Sequence, residues 1–128
     1  MRVVSGWPTG VAAVTLFVED VTVSREFYER AVGLPLLYAD DVSAVYAFGG
    51  TLVNLLARSE AAELIDPAPV GTSGARMQLT VHVEDVDAVC AEVTGRGVAL
   101  LNGPMDRPWG VRTAAFADPD GHVWEIAH

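Results

Sequence analysis

Glu125 lies in a run of otherwise apolar residues, Val123-Trp124-Glu125-Ile126-Ala127, near the end of a chain of 128 residues. A carboxylate there is costly to bury unpaired. It therefore either pairs with an arginine such as Arg112 or serves as a ligand-binding or general-base group. His82 lies in the mostly apolar stretch Leu79-Thr80-Val81-His82-Val83, and histidine is the side chain most suited to proton transfer at physiological pH. It is either a proton-transfer partner for Glu125 or a structural histidine. Trp109 sits between Pro108 and Gly110, where a large ring is not needed for a core and could stack on a flat ligand. Arg112 could clamp a ligand anion or hold Glu125. Tyr46 and Phe48, with Tyr38, are further aromatic candidates for reaching a ligand, although ordinary sheet packing must claim some of them. Cys90 falls on an apolar helical face and reads as inert core. His122 reads as a turn residue, and His128 carries little information.

Composition removes several classes of function. The net charge of −9 argues against a nucleic-acid backbone or an anionic membrane as partner, since both would be repelled. Cationic or neutral small molecules remain. The chain has no lysine, so chemistry that needs a lysine Schiff base, such as that of pyridoxal phosphate, is excluded. The single Cys90 forms no internal disulfide and gives no sign of an oxidising compartment. No secretory h-region is visible, and no apolar run approaches the ~20 residues of a membrane span. A cytoplasmic protein is expected.

The elements that must position these residues follow from a repeat. Thr15-Leu16-Phe17-Val18-Glu19-Asp20-Val21 and Thr80-Val81-His82-Val83-Glu84-Asp85-Val86 agree at five of seven places, at an offset of 65 residues. Each copy reads as the end of a strand and the start of a helix, with Asp20 and Asp85 as helix-start residues and no catalytic role. In the first unit, residues 11–18 read as a buried strand. Val21, Ser24, Phe27, Tyr28, Ala31 and Val32 then share a helical face that stops at Gly33. Residues 34–40, 44–48 and 51–57 read as strands joined by Asp40-Asp41 and Gly49-Gly50. In the second unit a strand over 76–83 precedes a helix with Val86, Val89, Cys90 and Val93 on one face. Strands follow over 98–102, 111–117 and 122–127, with 103–110 as a loop and Asp118-Pro119-Asp120-Gly121 as a turn. The whole is one α+β domain made of two tandem β-α-β-β-β units, residues 11–57 and 76–127. A loop-like linker over 58–75, with a short helix near 59–65, joins them.

Paired units of this kind, a Val-x-Asp step before a helix carrying Phe27-Tyr28, and the closing Asp118-Pro119-Asp120-Gly121-His122-x-Trp124-Glu125 resemble the vicinal oxygen chelate superfamily. That group includes glyoxalase I, extradiol dioxygenases, fosfomycin-resistance enzymes and bleomycin-resistance proteins. The resemblance implies that each unit curls into a half-barrel of four mixed strands around a concave site, and that two chains pair as a homodimer to complete the sites. It also implies four metal-ligand positions: seven residues before each helix-start Asp, and one in the closing strand of each unit. Here these are Ala13, Asn54, Gln78 and Glu125. Ala13 cannot ligate, and Asn and Gln bind divalent transition metals weakly. One carboxylate without histidine is a poor site. No metal and no other cofactor is expected.

Strand alternation then assigns a cavity face. If Gln78 faces the cavity, so do Thr80 and His82; Ala13, Thr15 and Phe17 share it with Leu52, Asn54 and Leu56, and with Val123, Glu125 and Ala127. The expected function is metal-independent binding of a small, partly aromatic molecule, with drug sequestration as one form of it. Trp109 would stack on the ligand, with Tyr46 and Phe48 as further aromatic contacts. Glu125 would face a ligand cation, Arg112 a ligand anion, and Asn54, Gln78 and His82 would hydrogen-bond. The stretch Pro108-Trp109-Gly110-Val111-Arg112 resembles that of bleomycin-resistance proteins. The alternative is a lyase, isomerase or dioxygenase-like enzyme using Glu125 with Gln78 or His82, with or without a divalent metal.

Overall fold

Asp20 and Asp85 start their helices by the same device. The Asp20 carboxylate accepts hydrogen bonds from the Thr22 and Val23 amides, and the Asp85 carboxylate accepts one from Ala88. Each so satisfies donors that the first helical turn leaves free. The structure, a computed structural model, describes residues 4–128.

The first unit consists of β1 (Ala13–Val18), α1 (Val21–Glu26), β2 (Leu36–Ala39), β3 (Ser43–Phe48) and β4 (Thr51–Ala57). The α1 helix continues without a break as a wider π-helical turn, Phe27–Val32, that ends on Gly33 at φ 87°. That left-handed conformation suits glycine, and the Gly33 and Leu34 amides both return to the Tyr28 carbonyl. A 3₁₀ turn (Arg58–Glu60) and a short α2 (Ala62–Ile65) begin the linker. The second unit is β5 (Gln78–His82), α3 (Val86–Gly95), β6 (Leu100–Asp106), β7 (Arg112–Ala117) and β8 (Val123–Ala127).

The strand orders are β1-β4-β3-β2 and β5-β8-β7-β6, with β1–β4 and β5–β8 parallel and the rest antiparallel. Both sheets are therefore mixed, and both follow the β-α-β-β-β order read from the sequence. One element differs. Residues 103–106, expected as loop, continue β6, which carries a register shift between Asn102 and Met105. Gly103 takes φ 81° there, and Pro104 is tolerated because β6 is an edge strand whose outer amides pair with nothing in the sheet.

The helix-side faces carry Leu16, Val18, Ala44, Tyr46, Val53 and Leu55 in one unit and Ala114, Phe116, Trp124 and Ile126 in the other, all buried in one continuous core. Tyr28 of α1 stands between them, its ring 6.1 Å from Tyr46 on one side and 6.1 Å from Trp124 on the other. Phe48 of β3 meets Trp124 of β8 edge-on at 5.7 Å. This contact decides how the units are joined. If β1 and β5 lay side by side in a continuous sheet, β3 and β8 would be four strand spacings, about 19 Å, apart. Instead the units pack by their helix-side faces, and their other faces turn away from the shared core.

A second link holds the units together. The Asp118 carboxylate, 5% exposed, accepts hydrogen bonds from the Tyr28 hydroxyl at 2.7 Å and from the His122 amide and ring at 2.8 Å. The Trp124 indole donates to the Tyr28 hydroxyl at 3.1 Å. Asp120, in the same turn, accepts from the Glu19 amide and the Ser24 hydroxyl, and its carboxylate lies 3.6 Å from Arg58. Buried polar groups are thus partnered across the unit boundary, as their desolvation requires.

Candidate functional site

Cross-strand register fixes which side chains share the outward face of the second unit. Thr80 pairs with Glu125, Glu125 with Ala115, and Ala115 with Asn102. A neighbouring row runs His82, Ala127, Thr113, Met105. Gln78 lies beside Val123 and Ala117. The Glu125 carboxylate accepts from the Thr80 hydroxyl at 3.0 Å and has no cationic partner among the described residues. Gln78, Thr80 and His82 are exposed. The sequence reading of Gln78, His82 and Glu125 as one face therefore matches their placement.

Arg107 completes this face. Its Nε donates to the Thr113 hydroxyl at 2.8 Å and its Nη2 to the Asn102 side-chain oxygen at 3.2 Å. Its guanidinium carbon lies 5.9 Å from the centre of the Trp109 ring, within cation–π range. Trp109 itself is 70% exposed. Neither Arg107 nor Asn102, Met105 and Thr113 was singled out from the sequence. Thr113 was not legible, because a turn over 118–121 would set it against Ile126, whereas the closure of Asp118 on His122 sets it against Ala127.

The first unit's outward face has the same geometry and different chemistry. Thr15 pairs with Asn54 and Asn54 with Val45, while Ala13 sits beside Leu52 and Phe17 beside Leu56. The Asn54 amide donates to the Thr15 hydroxyl at 3.4 Å, and its side-chain oxygen is buried with no partner among the described residues. The rest of this face is apolar except for Ser43 beside Leu56 and the exposed Tyr38 beside Val45, whose hydroxyls both donate to Asp40.

Three proposed ligand contacts lie elsewhere. Tyr46 pairs with Val53 and so projects to the helix side, where it is fully buried and donates to Glu29 at 2.8 Å. Phe48 shares that side and packs on Trp124. Arg112 projects to the helix side of β7 and pairs with Asp87 at 2.8 Å and Asp106 at 3.0 Å, so it does not hold Glu125. In each case alternation along the strand places the side chain opposite to the outward face. Cys90 is buried, and burial raises its thiol pKa, which keeps it unreactive. His122 remains in the turn, and His128 accepts a hydrogen bond from the Val86 amide.

Titration is perturbed chiefly at the link between units. Burial pushes the Tyr28 phenol far up, and the Asp118 charge adds to this. Burial works against the Asp118 carboxylate, but hydrogen bonds from His122 and Tyr28 outweigh it and hold the carboxyl below its usual value. The bond to Asp118 raises His122, against the opposing effect of burial.

The four metal-ligand positions are divided between the two outward faces: Ala13 and Asn54 on one, Gln78 and Glu125 on the other. They offer one carboxylate, two neutral amides and a methyl group, a donor set that does not fit a divalent transition metal. Among the described residues no three His, Cys, Asp or Glu side chains cluster as a metal site.

This architecture can be compared with known proteins. Residues 10–126 match the model of the Glyoxalase/Bleomycin resistance protein/Dioxygenase superfamily. The chain belongs to that superfamily. It is 34% identical over 119 residues to the uncharacterized protein YraH of Bacillus subtilis (strain 168), covering 88% of this chain and 93% of YraH. A glyoxalase/bleomycin resistance protein/dioxygenase from Nocardioides superposes with a TM-score of 0.84 at 23% identity, over 97% of this chain and 85% of the other. A glyoxalase-related enzyme from Fulvimarina pelagi gives 0.81 at 27% identity, over 94% and 88%.

Proposed function

We propose that this chain is a metal-independent binding protein for a small, partly aromatic molecule, in the manner of drug-sequestering members of the superfamily. We further propose that each site joins the second unit of one copy to the first unit of another. The observation that carries this reading is the packing of the units by their helix-side faces. It leaves Asn54 on one open face and Gln78, Thr80, His82 and Glu125 on another. β1 and β5 are edge strands, and exposed edges favour association with another chain. Side-by-side placement of β1 from one copy and β5 from the next would bring Ala13, Asn54, Gln78 and Glu125 together. The joint site would have an apolar half and a polar half, with Trp109 at its rim for stacking and its acidic side ready for a ligand cation or hydrogen-bond donor.

Light scattering together with a tryptophan-fluorescence titration of planar antibiotics tests this reading. The expected outcome is a dimer at micromolar concentration and saturable quenching that Glu125→Gln weakens. A monomer, or no binding across the panel, overturns it. A second reading is favoured by the Glu125 carboxylate, which has a hydroxyl partner but no counter-cation among the described residues. On that reading Glu125 is a general base, with His82 on the same strand face as its acid partner. A stoichiometric metal in protein purified without chelators, lost on Glu125→Ala, would favour the metal-assisted form of this enzyme over sequestration.

A further inference from the structure

Among the described residues of this acidic chain, five of seven arginines are matched to carboxylates. Arg25, Arg30, Arg58, Arg96 and Arg112 each lie within 4.0 Å of an Asp or Glu. Arg76 lies exposed in the linker. Arg107 differs from both kinds. It is half-buried on the second unit's outward face, and both of its hydrogen bonds go to neutral oxygens, those of Thr113 and Asn102. No carboxylate pairs with it among the described residues, although the chain carries a net charge of −9. A partly desolvated guanidinium without a counter-charge is unfavourable unless something else supplies the anion.

The arrangement that holds Arg107 is built into the strands. Thr113 is 2% exposed and fixed in the centre of the sheet. Asn102 is held on the same face by the irregularity at Gly103, where β6 presses against β7: a β-carbon on Gly103 would lie 2.8 Å from the Ala114 Cα. The two hydrogen bonds orient the guanidinium plane and use one Nε and one Nη2 hydrogen. The remaining Nη hydrogens are left to bind a second group. A fixed guanidinium fork suits two-point recognition of a carboxylate or phosphate. Across the row from Asn102, beyond the single methyl group of Ala115, stands Glu125. Two strand spacings separate the ends of that row, about 10 Å, the length of a substituted ring.

We propose that Arg107 is an anion anchor: the second unit's face binds a small molecule through a carboxylate or phosphate group seated on the Arg107 guanidinium, while the far end of the molecule donates a hydrogen bond to Glu125. This rests on the reading of that face as the ligand site, and it narrows the ligand class from any partly aromatic molecule to an oxyanion with a donor at its opposite end.

The experiment uses the full-length chain with phenylphosphonate, benzoate and benzylamine as probes, followed by ¹H–¹⁵N spectra that include the arginine Nε–H groups. The expected result is that phenylphosphonate and benzoate shift the Arg107 Nε–H and the Thr80, Thr113 and Glu125 amides. Benzylamine is expected to bind the same face more weakly. Arg107→Gln should weaken phenylphosphonate binding by about tenfold or more, the loss expected for charge-assisted hydrogen bonds. Arg107→Lys, which keeps the charge and the fold, should recover part of it. If benzylamine shifts the face at lower concentration than either anion, or if Arg107→Gln or Arg107→Lys binds phenylphosphonate like the unmodified chain, the anchor is overturned while the face stands as a ligand site. If no probe shifts any residue of the face at millimolar concentration, both the anchor and the ligand-site reading fall.

Discussion

The two outward faces are the same surface built twice. Thr15 and Thr80 occupy one equivalent position, Asn54 and Glu125 the next, and in each unit the threonine lies opposite the residue it bonds. Around this shared pair the chemistry diverges. Ala13, Phe17, Val45 and Leu56 surround Asn54, whereas Gln78, His82, Ala115 and Ala127 surround Glu125, with Arg107 beyond. Duplication has kept the backbone and the register and released the side chains that point away from the core. What keeps the units distinct is also visible on the core side. The β7–β8 turn sends Asp118 into the other unit, while its counterpart at Gly49-Gly50 makes no such link.

The comparison breaks hardest at these turns. Asp118→Ala removes the acceptor for the buried Tyr28 hydroxyl and the His122 amide, and should lower the unfolding free energy by about 3 kcal/mol. Gly49→Ala, which only strains a position at φ 61°, should cost about 1 kcal/mol. Urea unfolding of both variants measures this; equal losses would make the turns equivalent. A smaller effect separates the faces. Because the Asn54 oxygen is buried without a partner among the described residues, Asn54→Val should stabilise the chain by about 1 kcal/mol. Glu125→Val, whose partner Thr80 is exposed, should stay within about 0.5 kcal/mol of the parent. A destabilised Asn54→Val chain would contradict the asymmetry drawn above.

The smallest expected effect is in pH dependence. His122 is raised above its ordinary 6.5 by Asp118, so its stabilisation is complete below that value and is lost as pH rises through the raised pKa. Asp118 is held below its ordinary 3.8, so its contribution is present above that value and is lost as pH falls through the depressed pKa. Asp120 and Arg58, which also face His122, pull its titration in opposite directions. The urea midpoint should therefore decline as pH rises from 6.5 through the raised pKa of His122, and His122→Asn should flatten that decline while leaving the acid limb in place. An unchanged alkaline limb in the variant would remove His122 from the link.

Much of this was legible in the chain. The repeated Val-Glu-Asp-Val step located both helix starts, and counting from it placed Ala13 and Gln78 on the strands that the structure gives them. Register was legible too, further than it was carried. A two-residue turn at Gly49-Gly50 sets Phe48 against Thr51 and therefore Tyr46 against Val53, which alternation between the cavity-facing Leu52 and Asn54 puts on the helix side. The turn at 118–121 misleads by the same rule: read as four residues it sets Ala117 against His122 and Ala114 against Glu125, whereas Asp118 itself pairs with His122 and Ala115 with Glu125, and this takes Arg112 off that face. Arg107 was hidden for a different reason. Gly103 and Pro104 are loop residues by composition, and only their contact with β7 shows that the strand continues and carries Asn102 and Met105 on one face. The joining of the units by their helix-side faces was not legible at all, since periodicity tells which side of a strand is apolar but not which apolar side covers it.

The aromatic contacts among Tyr28, Tyr46, Phe48 and Trp124 also set the angle at which the two outward faces diverge. In an association where the first face of one copy meets the second face of the next, that angle decides between a closed ring and an open filament. Two copies close when the angle returns the second copy to the first, and they polymerise when it does not. The quaternary state of such a chain is then governed from its interior. A substitution at Phe48 or Trp124, whose side chains lie on the opposite side of the sheets from both outward faces, would then convert a discrete assembly into a fibre without altering either face.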